Sequence, residues 1–249
     1  MKDALTEVVF DYPYNSFGKT YLAEGTEYPE KFGGNCVFLT QQLSRRLMQQ
    51  GLIPEYLWNT DATHWATVCR EGKSLYYLDP VLLHGEPINI SRLQKQKGSM
   101  VYNAYPVLNT QPTVVTVTST GAHSISVNSH GYSQGKMKPI KSYDYDLRDT
   151  STVPPSNWEQ VRDANPLSFL RMKVLESEKQ ATSLFLTNTG FMHIKQPNKP
   201  KVYQEKHPEQ FQEILERVST HLRTSTGELL HFFYNGQQLH RERALAMNS

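Results

Sequence analysis

The sequence predicts an α+β protein, and three observations carry that reading. An amphipathic helix starts at a cysteine, with Val37, Thr40, Leu43 and Leu47 recurring at three- and four-residue spacing between Cys36 and Gln50. The middle and later chain is rich in strand signals. A second clear helix interrupts them at Pro208–Leu222, where Phe211, Ile214, Leu215 and Val218 share a face and Pro208 suits the first turn.

Taken in order, residues 1–35 are rich in Tyr, Gly and Pro and read as short elements and loops leading to Cys36. Asn35 can cap the helix that follows, Gly33 and Gly34 let the chain turn sharply before it, and Gly51 is a fitting stop. Cys36 then falls in the first turn. An extended segment spans Glu55 to Trp58, and a hairpin of residues 64–70 and 73–79 is expected about Glu71-Gly72. Further strands are expected at Thr113–Thr118, His123–Asn128, Leu167–Leu175 and Ala181–Thr187. The last of these is joined through Asn188-Thr189-Gly190 to Phe191–Lys195, and a final strand is expected at Glu228–Tyr234. No internal repeat is present.

Length and composition bound the function. A chain of 249 residues can bury a sizeable core. Its formal charge is +2, from 26 Lys and Arg against 24 Asp and Glu scattered along the chain, which argues against nucleic acid as a partner. Cys36 and Cys69 form no CxxC pair, zinc ladder or disulfide framework, so a reducing cytoplasm is expected. The N-terminal residues carry acids at Asp3 and Glu7 rather than the apolar run of a signal peptide, and no stretch reaches membrane-spanning length. Neither a membrane nor a metal is expected.

Chemistry concentrates on Cys36, His64 and Asp79. A thiolate is the attacking form of cysteine, and a helix N-terminus favours it through unpaired N–H groups and the dipole. Such a nucleophile needs a base, and the base needs a partner that fixes its tautomer. With Glu71 and Gly72 as a two-residue turn, positions opposed across the hairpin total 143, which pairs His64 with Asp79. A longer loop would change that register. The diglycine before Cys36 is also expected to leave open backbone for a substrate beside the sulfur.

Other features read as structural. Cys69 is out of phase with His64, Trp65 suits a core, and His123 and His130 lack acidic or thiol companions for a metal. The Lys136-Met137-Lys138 and Lys195–Lys201 clusters read as solvated loops, although either could meet the phosphates of coenzyme A. No P-loop, dinucleotide fingerprint or G-x-S-x-G elbow occurs.

The run Gly33-Gly34-Asn35-Cys36 with its helix, and the stretch from His64 through Tyr77-Leu78-Asp79, resemble the nucleophile motif and the His and Asp strands of the arylamine N-acetyltransferases. Asn165-Pro166-Leu167-Ser168-Phe169 and Leu184–Ile194 are similar to that family's approach to its third domain. The resemblance implies a cysteine-proteinase-like core, with the Cys-bearing helix packed on an antiparallel sheet or barrel and an α/β lid. It implies a shortened helical lobe over residues 1–60, a β-rich domain over 61–165 and the lid over 166–249. It also implies catalytic Cys36, His64 and Asp79. No cofactor would be tightly bound: acetyl-CoA or another acyl-CoA would be co-substrate, and an amine-type small molecule the acceptor. An acyl carrier protein as donor, a transglutaminase-like peptidase or amidase, and a non-catalytic binding protein stand as alternatives. The chain departs from the family's Arg before the diglycine and Glu or Gln two residues after the cysteine, having Phe32 and Phe38, and Pro80-Val81-Leu82-Leu83 follow Asp79.

Overall fold

The fold was analysed in a computed structural model, which describes residues 1–16, 18, 21, 26–27, 29–105, 114–133, 136–154, 169–187, 189–197 and 199–246. The chain opens with helix α1 (Lys2–Asp11), whose Ala4, Leu5, Val8 and Val9 form one buried face. The sequence reading leaves this segment as short elements. The β-branched pair Val8-Val9 and the Tyr- and Pro-rich residues after it mask the helical period. Strand β1 (Tyr14–Asn15) and a 3-10 turn at Glu30–Phe32 lead to helix α2 (Cys36–Gln49).

Asn35 caps α2 through its side chain, which accepts from the N–H groups of Val37 and Phe38 at 3.1 and 3.2 Å. Leu39, Leu43 and Leu47 pack against α1, Cys69 and Leu78 in one apolar cluster. Gly51, at φ +76°, ends the helix as expected.

An eight-stranded antiparallel sheet follows: β2 (Pro54–Asn59), β3 (Trp65–Glu71), β4 (Ser74–Leu78), β5 (Ile88–Asn89), β6 (Ser99–Asn103), β7 (Val114–Ser119), β8 (Ser124–Ser133) and β9 (Lys136–Ser151). Its strand order is β5-β4-β3-β2-β9-β8-β7-β6. The two ends of this order are drawn together. His84 bridges Ala104 antiparallel, and the Tyr105 N–H donates to the Leu83 carbonyl at 2.9 Å, so the sheet nearly closes into a barrel. Its interior holds Leu57, Ala66, Tyr77, Val115, Val117, Ile125, Val127 and Tyr145, with Ile90 and Leu93 of the short helix α3 (Ile90–Gln96) added.

A second antiparallel sheet orders β1 beside β10 (Phe169–Ser177), β11 (Gln180–Thr187), β12 (Met192–Lys195) and β13 (Val202–Tyr203). Helices α4 (Pro208–His221) and α5 (Thr226–Ala246) share its apolar cluster. The turn residues Thr189-Gly190 are described, with Gly190 at φ +91°. Asn188, Thr113 and the motif residues Asn165–Ser168 lie outside the described residues.

Two expectations are corrected. The expected strand Glu228–Tyr234 is part of α5, because Leu229, Phe232 and Phe233 bury one helical face. A capping box sets its start: Glu228 N–H donates to Ser225 Oγ at 3.1 Å, and Ser225 N–H donates to Glu228 Oε2 at 2.9 Å. The β3–β4 register is also shifted. Glu71 pairs with Ser74 and Thr67 with Leu78, so opposed positions total 145 and the turn is Gly72-Lys73. Gly72 takes the first loop position at φ +57°, where the hairpin needs a residue free of Cβ strain. His64 and Asp79 are therefore not cross-strand partners.

Candidate active site

His64 and Asp79 nevertheless meet, each from just beyond a strand end. His64 sits in the turn before β3, held by Asn59: the Asn59 Oδ1 accepts from the N–H groups of Thr63 and His64 at 2.9 and 2.6 Å, and the Asn59 N–H donates to the His64 carbonyl at 3.1 Å. Asp79 follows β4 and caps the 3-10 turn Pro80–Leu82, its Oδ1 accepting from the Val81 N–H at 2.9 Å. The His64 Nε2 donates to Asp79 Oδ2 at 2.7 Å. That bond leaves Nδ1 for Cys36, with which His64 is also hydrogen-bonded.

All three residues are buried, at 5%, 2% and 0% exposure for Cys36, His64 and Asp79. Burial alone would push the Cys36 thiol up. The hydrogen bond and charge of His64, the backbone N–H of Trp65 and the positive charge of Lys141 outweigh it and hold the thiol below its ordinary value. Burial likewise opposes a charged His64, but the charge and hydrogen bond of Asp79, reinforced by Cys36, raise it to about 9. Asp79 is held low against its own burial, chiefly by the charge and hydrogen bond of His64 and also by the Tyr77 hydroxyl. Both shifts favour the thiolate–imidazolium form of the pair over the neutral one.

A second layer fixes this relay. Tyr77 OH donates to Asp79 Oδ2 at 3.0 Å and lies 3.2 Å from the Tyr145 hydroxyl. The Asp79 N–H donates to His84 Nε2 at 2.9 Å, while His84 Nδ1 donates to the Glu86 carbonyl at 2.8 Å, which defines a neutral imidazole. Burial keeps that histidine's pKa below the ordinary value. Tyr143 stacks on the His64 ring at 4.1 Å between centroids. Thr40 Oγ1 donates to the Trp65 carbonyl at 3.3 Å and ties α2 to the strand that follows His64.

The diglycine plays a different part from the one expected. Gly33 adopts φ +68°, and a Cβ there would stand 1.7 Å from the Pro13 carbonyl oxygen; one on Gly34 would meet the Phe38 Cβ at 2.5 Å. The space is filled by Pro13, just ahead of β1, and by Phe38 of α2 rather than left for a substrate. Phe32 and Phe38 are aromatic anchors. Phe32 stacks on Phe232 of α5 at 4.3 Å, and Phe38 meets Tyr12 edge-on at 5.6 Å.

Beside the relay lies a cleft of about 740 Å3, open to solvent. Pro80, Val81, Leu82 and Leu83 form part of its wall, with Tyr14, Leu39 and the cations Lys141, Arg171 and Lys173. Sequence reasoning missed these cations and the supporting Asn59, Tyr77, His84 and Tyr143. Strand alternation places Lys141, Tyr143 and Tyr145 on one face, but only the closed sheet shows that this face turns toward the relay. Cys69 is buried in the cluster beneath α2, and its thiol is pushed up by burial. Trp65 packs edge-on against Trp58, and its backbone N–H hydrogen-bonds Cys36. Lys138, Lys199 and Lys201 are exposed and do not line the cleft. Among the described residues, no group of three His, Cys, Asp or Glu could hold a metal, and no helix is long and apolar enough to cross a membrane.

Neither a family model nor a curated protein matches the sequence. Structural comparison does find a similar fold. The arylamine N-acetyltransferase from Mycobacterium abscessus superposes with a TM-score of 0.54 over 98% of this chain and 87% of its own, at 13% identity. The chain has an arylamine N-acetyltransferase-like fold. At that identity the likeness establishes the architecture alone, and the chemistry must be argued from the site.

Proposed function

We propose that the chain is an acyltransferase that carries an acyl group on Cys36 and delivers it to an amine. The observation that carries this reading is the buried Cys36–His64–Asp79 relay at the N-terminus of α2, set in a fold of acyltransferase type. The Cys36 thiolate attacks the carbonyl carbon of an acyl thioester, acetyl-CoA or another acyl-CoA. The C–S bond to the donor breaks, and the departing thiolate takes the proton from the His64 imidazolium. The amine then attacks the Cys36 thioester, His64 accepts its proton, and the amide leaves as the Cys36 thiolate is restored. Asp79 holds Nε2 throughout, which keeps Nδ1 toward the sulfur.

The oxyanion formed in each half-reaction needs fixed donors. Asn35 already occupies the N–H groups of Val37 and Phe38, so the helix can offer the N–H of Cys36 itself. The Trp65 N–H at the sulfur helps to hold the thiolate before attack.

Intact-mass measurement after mixing with acetyl-CoA tests this reading. A one-acetyl mass gain in the native chain, absent from Cys36→Ala and discharged by an added arylamine or hydrazine, is the expected result. No gain, together with cleavage of a peptide or glutamine amide that depends on Cys36, would overturn it in favour of an amidase.

A further inference from the structure

The cleft gathers Lys141, Arg171 and Lys173, and among the described residues no acidic side chain lines it. Among the described residues no carboxylate pairs with any of the three. Lys173 is 8% exposed, and its ammonium form is disfavoured by burial first and then by the charges of Arg171 and Lys141. Lys141 is opposed in the same way, by burial and by Arg171. Placing three like charges together in a partly dehydrated site costs free energy that a bound anion would offset. Tyr14 helps to aim two of them: the Lys141 Nζ lies 6.0 Å and the Arg171 Cζ 5.3 Å from its ring centroid.

The location of the charges restricts the anion. Lys141 Nζ is 5.7 Å from the Tyr143 ring, and that ring is 4.1 Å from the His64 ring, so the ammonium stands within about 10 Å of the imidazole. The arm that separates the thioester of an acyl-CoA from its phosphates is equivalent to about four extended peptide units, roughly 15 Å. An anionic group much nearer the reacting carbon fits better. Most of the remaining wall is apolar, with Val9, Leu39, Val81, Leu82, Ile140 and Leu175 facing the space beside Ser129.

We propose that the cleft formed by Lys141, Arg171 and Lys173 binds a carboxylate carried by the substrate close to its reacting end, with the apolar wall holding the body between. For its place in the reaction this rests on the acyl-transfer reading, and the carboxylate can belong to either reacting half. An amine acceptor such as an aminobenzoate would carry it, or the distal end of a dicarboxylic acyl group would. Arg171 supplies a planar fork suited to two oxygens, and the two lysines supply charge.

Calorimetric titration of the native chain at low salt, repeated with Cys36→Ala, tests the site without any transfer step. The probes are 4-aminobenzoate against 4-aminobenzamide, and succinate against succinamide. At least one acid should bind about tenfold or more tighter than its amide, with the advantage shrinking as salt rises. Which acid shows the advantage identifies the half that carries the charge. Lys141→Met and Arg171→Met should each remove most of that advantage, and Arg171→Lys should restore part of it. Equal binding of acid and amide, no binding of either acid, or an advantage that survives both methionine variants would each overturn the site. Should a methionine variant fail to fold, the acid-to-amide ratio and its salt dependence in the native chain decide alone. Failure of acetyl-CoA to label Cys36 would leave these binding results intact, so the two proposals fail separately.

Discussion

Asp79 is wholly buried and accepts hydrogen bonds from His64, Tyr77 and Val81, so its charge is compensated by protein groups. That compensation passes to the sulfur through His64, which Asp79 raises to about 9 against the cost of burial. Cys36, held below its ordinary value, should therefore stay reactive as the pH falls through the range where a free thiol has become protonated. In Asp79→Asn the carboxylate charge is gone and the imidazole loses its preferred tautomer. The midpoint of Cys36 alkylation by iodoacetamide should then move up in pH, and acyl transfer at neutral pH should drop by about two to four orders of magnitude. An alkylation profile that superposes on that of the native chain would show that Asp79 does not act on the sulfur. Residue types, their places on the expected helix and hairpin, and the motif resemblance together made this triple legible, since a cysteine at a helix start, a histidine and an aspartate each suit one role. The residues that stabilise it, Asn59, Tyr77 and His84, were not legible, because their roles depend on a turn geometry and on a closed sheet that no local pattern encodes.

At the scale of elements, α2 and its cap follow the sequence reading closely, because the apolar spacing, Asn35 and Gly51 all favour the same helix. The hairpin shows how a correct contact can rest on a wrong register. Gly72 belongs at the first loop position, which moves the pairing by two, and the loop ends of β3 and β4 then bring His64 and Asp79 together. For residues 228–234 the aromatic run Phe232-Phe233-Tyr234 favours a strand locally, yet burial of Leu229, Phe232 and Phe233 and the Ser225–Glu228 box select a helix. The diglycine gives the sharpest test at this scale. Gly33→Ala would place a methyl against the Pro13 carbonyl and demand a positive φ of a residue with a Cβ. It should destabilise the chain by about 2–4 kcal/mol, read as a lowered Tm, because backbone rather than a flexible side chain must move. Gly72→Ala has the same positive φ and no neighbour within 4 Å, so its cost should be limited to conformational strain, about 1 kcal/mol. Equal losses for the two variants would show that the Pro13 contact is not what Gly33 is needed for.

Across the whole molecule, the cleft wall draws residues from α1, β1, α2, the turn after Asp79, β8, β9 and β10. Both sheets and the N-terminal helices must therefore be in place before the site exists. Aromatic contacts close the chain over a long sequence distance: Phe32, four residues before the nucleophile, stacks on Phe232 of α5 at 4.3 Å, and Tyr21 stacks on the same Phe232 at 5.0 Å while donating from its hydroxyl to the Phe232 carbonyl at 2.6 Å. This aromatic packing links the C-terminal helix to the segment that positions Cys36. Phe32→Ala and Phe232→Ala should each cost about 3–5 kcal/mol, as truncation of a buried aromatic does. In a chain of this length that lowers Tm by roughly 6–20 °C. Because the two rings share one contact, the double variant should lose less than the two single losses added, by about 0.5–1.5 kcal/mol. Strict additivity would mean that the rings stabilise separate parts of the fold. If they are coupled, both single variants should also slow Cys36 acylation at temperatures below their unfolding, since loosening α5 frees the chain just ahead of the nucleophile.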